Sequence, residues 1–482
     1  MRPISFLSRA GSKSSRAVPP LLFFTAVLTA VAATASTRPR YGGVLRVQMH
    51  ERVASLDPRQ WPADSVKAAA AERLTALVFE RLLRFDERGE PQAVLAVSWQ
   101  HDAPSKRWQF RLREGAKFTD GASLTPEIAA LALQQLLGNA ADVSTTSDSV
   151  VIQSDHAMPG LPEELAAGPY FIFHTADNGS LSGTGAFRVA QWPAGGAAAK
   201  ATFVANESCW AGRPFVDHIE VAMGVGTDEQ ANAVAFGQAD LVELDPSEVR
   251  RAEQRGVRTA SSDPVELFAL TFDVSRPSVQ DSHFREALGL AIDRAAIANV
   301  VLQHQSVPAG GLLPNWLSGY AFLFPDAANP ARAKELRGAS LVLVYDSADA
   351  EARAVAERVA VNWRDAGIGV QTTGQPGVGT AKAPTADIKL VRRHIITPDP
   401  ALALRALLES LGESAATPAT PDESFAAESA AVNAFRVIPL VHVSESYGLG
   451  PQVRDWMAPR WGGWRLEDVW LDAPAAGGGT PQ

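Results

Sequence analysis

From Trp108 to Arg113 the apolar residues Trp108, Phe110 and Leu112 alternate with Gln109, Arg111 and Arg113, which predicts a strand with one apolar face. Asp120-Gly121 marks a turn, and Thr125, Pro126 and Glu127 suit the cap and first turn of a helix over Thr125–Leu137. A partner strand at Val97–Gln100 would pair with Lys106–Arg113 through a turn at Asp102–Ser105. Upstream, Val44–Met49 reads as a first strand, and the alanine-rich run Ala68–Leu83 carries apolar residues at helical spacing.

From Gly183 onward the pattern changes. Ala186–Val189, Ala201–Val204 and His218–Met223 read as strands, and Asp228–Phe236 and Ser247–Gln254 as helices. Val265–Val274 is an apolar strand, followed by helices at His283–Ile292 and Arg294–Leu302. Next come strand, helix, strand, strand and helix at Leu341–Tyr345, Ala350–Ala366, Gly369–Thr372, Asp387–Val391 and Ala401–Leu411, an alternation that argues for a wound α/β unit. Val437–Val443 is a late strand. Polar, proline-bearing loops are expected at Gly374–Thr385 and Gly412–Pro421, with a disordered Gly/Pro-rich tail over 474–482.

At 482 residues the chain exceeds what one core serves, so two or three lobes are expected. Cys209 is the lone cysteine, which excludes a disulfide framework within the chain. Arg2, Arg9, Lys13 and Arg16 precede an apolar run over Val18–Ala33 and a small-x-small site at Ala33-Thr34-Ala35, the plan of a secretory signal peptide over 1–35; an uncleaved anchor is the competing reading. No cysteine stands at the cleavage region, which excludes a lipoprotein anchor there. Cleavage would remove four of the 44 basic residues and leave 40 against 53 acidic ones, moving the net charge from −9 to −13. So acidic a chain is a poor partner for nucleic acid.

No G-x-S-x-G, Walker loop, H-E-x-x-H or complete G-x-G-x-x-G is present, and the nine histidines are scattered. No catalytic residue, cofactor or metal is therefore assigned, and the prior moves from enzyme to binding protein. Gly183-Thr184-Gly185 is read as a turn.

Several segments, in order, resemble the family 5 bacterial extracellular solute-binding proteins, the peptide- and nickel-type receptors of ABC importers. These are Tyr41–Val47 with Ser55–Pro58, Val78–Asp86, Pro91–Trp99, Trp108–Ile128, Gly183–Val189, Asn206–Asp217, Gly237–Leu241, Phe284–Arg294 and Pro398–Pro400. The resemblance covers about Tyr41 to Val443. It implies an α/β, two-lobed periplasmic-binding-protein-like (type II) fold with hinge crossovers near Val265–Val274 and Arg436–Ser444 and an extra N-terminal subdomain. The expected division is lobe I over 36–60, 183–265 and 440–473, the subdomain over 61–182, and lobe II over 266–439. Trp99, Trp108, Phe110 and Trp210 are expected as core anchors.

The resemblance further implies a monomer that captures a small solute, peptide-like or another organic molecule, between its lobes in the periplasm and delivers it to an ABC permease in the inner membrane. An exported sensing partner of a membrane signalling protein and an exported hydrolase are the alternatives. In peptide-binding relatives a W-x-A-D-Y-x-D-P segment presents an Asp to the peptide amine; aligned on Pro398-Asp399-Pro400, that position is Ile396 and the Trp position is Arg393. Arg392, Arg393 and His394 instead offer guanidinium forks suited to a carboxylate or phosphate, unless the arginines face solvent. Trp61 and Asp64 fall on the first ligand-side loop, although Trp61 could pack on its own domain. His442, Ser444, Glu445 and Tyr447 are candidates on the returning segment. The stretch Gly311–Asp387 looks shorter than in oligopeptide receptors.

Overall fold

In the computed structural model the polypeptide is described over residues 38–193, 199–329, 331, 340–378, 386–414 and 416–472. The expected signal peptide and the 474–482 tail lie outside these residues. One large sheet organises the chain. Its strands, numbered in chain order, are β1 (Val44–Met49), β2 (Phe187–Gln191), β3 (Ala199–Ala205), β4 (His218–Met223), β5 (Leu241–Leu244), β6 (Arg258–Phe272), β7 (Ser306–Pro308), β8 (Ser340–Asp346), β9 (Gly369–Gln375), β10 (Ile388–His394) and β11 (Val437–Leu449). They run in the order β2-β3-β4-β1-β5-β11-β6-β10-β8-β9, with β7 beside β11. The helices used below are α1 (Ser65–Val78), α2 (Pro126–Leu137), α3 (Thr227–Ala235), α4 (Pro246–Gln254), α5 (Ser282–Leu290), α6 (Ala350–Asp365), α7 (Pro400–Ser410) and α8 (Pro421–Asn433).

The two long strands β6 and β11 join the two halves of the sheet. Thr259, Ala260 and Ser261 of β6 pair with Gly448, Tyr447 and Ser446 in the first half, and Glu266 to Thr271 pair with Val443 to Val437 in the second. Between these runs the register shifts twice, at Ser261/Pro264 and at Pro264/Glu266. Bulges bend a strand and break its ladder, and Pro264 adds a residue without an N–H, so the ladder is weakest where the halves meet. Both strands extend further toward the first half than the apolar runs predict, because their outer portions are polar residues paired within the sheet.

Separate apolar cores lie in the parts. Leu45, Val47, Phe187, Phe203, Ile219 and Leu449 pack in the first half, together with Leu74, Leu77 and Val78 of α1. Phe268, Leu270, Leu343, Val359 and Trp363 pack in the second half. A four-stranded antiparallel sheet (Ala96–His101, Arg107–Leu112, Ser149–Gln153, Asp142–Thr145) with α2 holds a third core around Phe110, Leu133 and Ile152. Trp108 and Phe110 are buried there, with Trp99 and Trp210 packed at its margin. Thr125 caps α2 through its hydroxyl on the Ile128 N–H at 3.4 Å.

Three local expectations are corrected. The helix expected to Leu83 ends at Val78: Phe79 is extended, and the chain then forms short strands at Glu80–Arg81 and Leu83–Phe85. Pairing of Glu80 with Ile172 and burial of Leu82 and Leu83 in the third core override the helical pattern. The helix expected over Arg294–Leu302 is a single α turn, Arg294–Ala296, followed by a π-type turn at Ile297–Val301. Gly183 and Gly185 serve close packing: a Cβ at Gly183 would lie 2.0 Å from the Val78 carbonyl oxygen, and one at Gly185 2.7 Å from that of Leu77.

Candidate functional site

β1 and β5 in the first half, and β8 and β10 in the second, are the parallel strands whose carboxyl ends open on the junction, the usual position of a ligand crevice in α/β sheets. Helix α1 begins there. Asp64 caps it by accepting the Lys67 N–H at 3.1 Å, and the Ser65 hydroxyl accepts the His394 N–H at 2.9 Å, so α1 touches the end of β10 directly.

Two turns further, Arg73 interrupts the alanine-rich face of α1 and is buried. Its guanidinium donates to Glu243 of β5 and to Glu445 of β11, and lies over the rings of Tyr447 (5.9 Å) and Trp464 (5.7 Å). Glu445 also meets His394 Nε2 at 3.0 Å and accepts the Tyr447 hydroxyl at 2.5 Å. Burial alone would raise the Glu445 carboxyl; Arg73, His394 and Tyr447 overcome it and hold the group well below the usual carboxylate range. Tyr447 is driven the other way, upward, by burial and the adjacent Glu445.

A second cluster continues from this one. Arg392 donates from Nε to Glu266 at 2.9 Å, and its Nη1 lies 3.3 Å from Asp349 and 3.2 Å from Glu351, both at the start of α6. Over the top runs the 459–464 segment. Gly462 has φ +80°, and a Cβ there would stand 2.9 Å from Glu445 and 3.3 Å from His394 Nε2. Trp461 of the same segment packs on Trp316 at 5.0 Å and donates to the Asp86 carbonyl, while Trp316 donates to that of Pro264.

The residues expected from sequence fall into two groups. Arg392, His394, Tyr447 and Asp64 come together at the junction. Arg393 does not join Arg392 and His394, because successive strand residues face opposite sides: it is buried and donates to the Ser410 carbonyl at 3.0 Å. Arg392 is engaged with carboxylates and only partly exposed, and Arg393 is buried. His442 lies within the second half, its Nε2 2.9 Å from the Leu312 carbonyl, lining a cavity of about 130 Å³ with Pro308, Phe324 and Asp326. Burial lowers that imidazole to about 4. Ser444 sits opposite Pro264 at the bulge, Ile396 is 42% exposed beyond β10, and Trp61 packs on the first core against Phe171 at 5.9 Å. Arg73, Glu243, Glu266, Asp349, Glu351 and Trp464 were not foreseen; only Arg73, a lone cation among buried alanines, carried a local signal.

Residues 90–414 match the family described as bacterial extracellular solute-binding proteins, family 5 Middle. This chain belongs to that family. Among characterised relatives, the nickel-binding periplasmic protein of Escherichia coli (strain K12) is 25% identical over 299 residues, which are 54% of this chain and 55% of the relative. The probable D,D-dipeptide-binding periplasmic protein DdpA of the same organism is 20% identical over 50% of this chain and 52% of its own length. The alignments therefore span about half the length of such relatives. NikA from Staphylococcus aureus, solved with Ni(L-His)2, superposes with a TM-score of 0.76 at 14% identity, covering 89% of this chain and 100% of that one. The oligopeptide-binding protein AppA from Bacillus subtilis, solved with a nonapeptide, gives 0.75 at 14% identity, covering 90% and 100%. The fold of this family 5 protein is accordingly the two-lobed type II binding-protein fold. Its hinge crossovers are β6 and β11, and its extra subdomain carries the four-stranded sheet.

Proposed function

We propose that this protein is the substrate-binding component of an ABC importer, which closes its lobes on a small solute and delivers it to a membrane permease. The observation that carries this reading is the junction itself: two bulged crossover strands join the halves, and side chains from α1, β5, α6 and β10 meet between them. A hinge of this kind turns binding into closure only when the solute touches both lobes. In this reading the protein is exported by its N-terminal signal peptide, works as a monomer in the periplasm and performs no chemistry on its guest. Lobe I in this reading comprises 36–60, 183–265 and 440–473, and α1, whose Leu74, Leu77 and Val78 pack into the first core, moves with it. Among the described residues no helix is long and apolar enough to cross a membrane.

Thermal denaturation across a library of peptides, amino acids, metal chelates and organic ions tests the proposal. One class is expected to raise the melting temperature saturably and to reduce the scattering radius. Stabilisation by none, with unchanged dimensions, contradicts it.

A further inference from the structure

Near its C-terminal end the chain returns over the junction as a strap. Trp456, Ala458, Trp464 and Leu466 pack in the first core, so the strap is fixed to lobe I on both sides of residues 459–463. Between these anchors the backbone turns tightly. The Gly462 N–H donates to the Pro459 carbonyl at 3.1 Å, and Gly462 and Gly463 have φ of +80° and +85°. Successive left-handed positions favour glycine, and the turn they complete carries Arg460 and Trp461 at its tip.

The tip touches three other parts of the molecule. The Arg460 carbonyl accepts the Asp263 N–H at 3.1 Å, and its Nε donates to the Asp263 carboxylate at 2.6 Å. These bonds seat the strap on the bulged stretch of β6 beside Pro264. The Trp461 indole N–H donates to the Asp86 carbonyl of the subdomain at 2.9 Å. Its ring lies 5.0 Å from that of Trp316, tilted by 36°. Trp316 belongs to lobe II, standing between Leu313 and Leu317 of a core there, and its own N–H donates to the Pro264 carbonyl at 2.8 Å. The contacts to Asp263 and Asp86 stay within lobe I and its subdomain, whereas the ring pair crosses to lobe II.

Both rings are half-buried, and among the described residues neither belongs to the apolar core of its own lobe. Each packs on the other. An aromatic pair stabilises beyond the area it buries. The two indole hydrogen bonds also fix each ring on its own side, so that meeting costs little side-chain freedom.

We propose that the strap is a latch: Trp461, held by lobe I and the subdomain, clasps Trp316 when the lobes close, and so sets how much of the protein is closed before any guest arrives. The inference rests on the closing motion of the receptor reading and adds a residue pair that sets affinity without touching the guest. A receptor that binds only when closed has its apparent affinity scaled by the closed fraction. Weakening the latch therefore weakens every guest that leaves the pair untouched by one common factor.

The test uses the full-length protein freed of guest by reversible unfolding, its emptiness checked by native mass spectrometry, and measures small-angle scattering with nothing added. Loss of the ring pair and one hydrogen bond is expected to shift the closing equilibrium about tenfold toward the open form. Trp461→Ala should accordingly show a larger radius of gyration than the unsubstituted protein. Trp316→Ala should expand it equally, and the double variant no further, because either change already removes the shared contact. Trp461→Phe, which keeps a ring against Trp316, should recover part of the compaction. Melting curves confirm that each variant folds. Equal radii in the unsubstituted protein and both alanine variants overturn the latch. So does an expansion that adds up in the double variant, which marks two independent packing losses. With no guest present these outcomes judge the latch alone, and the receptor reading stands or falls with the solute library.

Discussion

Two buried glutamates, one at the hinge and one inside lobe II, meet opposite fates. Glu445 is surrounded by Arg73, His394 and Tyr447 and stays ionised far below the ordinary range. Glu428, on α8, accepts the N–H groups of Leu312 and Leu313, the latter at 3.0 Å, and among the described residues forms no ion pair. Burial pushes it up to about 7, against the pull of those donors. Backbone N–H groups and the Tyr320 hydroxyl do not offset the desolvation of this carboxylate, whereas a guanidinium offsets that of Glu445. The hinge is thus a place of fixed charge, and the lobe interior one of conditional charge.

Removing the fixed charge is the severest way to break this contrast. Arg73→Met leaves Glu243 and Glu445 buried without their cation and should cost about 3 to 5 kcal/mol in denaturant unfolding. A loss under 1 kcal/mol would mean that Glu445 is held by its hydrogen bonds alone.

The conditional charge should show itself through pH. Glu428 binds its proton more tightly folded, at about 7, than unfolded, near 4.5. Its contribution is therefore complete below 4.5 and is lost as pH rises through 7, a change of about 3 kcal/mol. Glu445 has the reverse sign: its contribution is present above the ordinary carboxylate pKa and is lost as pH falls below it. Glu428→Gln should remove the upper limb of the stability profile and leave the acid limb. An unaltered profile between pH 5 and 8 would contradict the assignment.

Smaller effects sharpen the hinge side. Gly462→Ala places a methyl against Glu445 at a positive φ and should cost about 1 to 2 kcal/mol. Trp464→Leu removes a buried core ring together with its contact to Arg73, and its coupling to Arg73→Met, which a double-mutant cycle reads directly, should be about 1 kcal/mol.

Much of the fold was legible because it is written locally. Val44–Met49, the Trp108–Leu112 alternation and the Thr125 cap each depend on neighbours in sequence. Helix α8 was not foreseen, although Thr420 and Glu423 form its capping pair, because its apolar face is mostly alanine and makes no stripe. The glycines at 183 and 185 looked like turns; what demands them is the backbone of Val78, a hundred residues earlier. The site was least legible for the same reason. Arg73 and Glu445 stand 372 positions apart, and no periodicity announces that they meet. Arg392 was visible as a cation, but its pairing with Glu266, 126 positions away, was not.

The most direct measurement is small-angle scattering on protein stripped of guest by reversible unfolding, before and after addition of the solute identified by native mass spectrometry. A saturable fall in the radius of gyration is the expected result. An unchanged radius with the solute demonstrably bound would show that these lobes do not close on it.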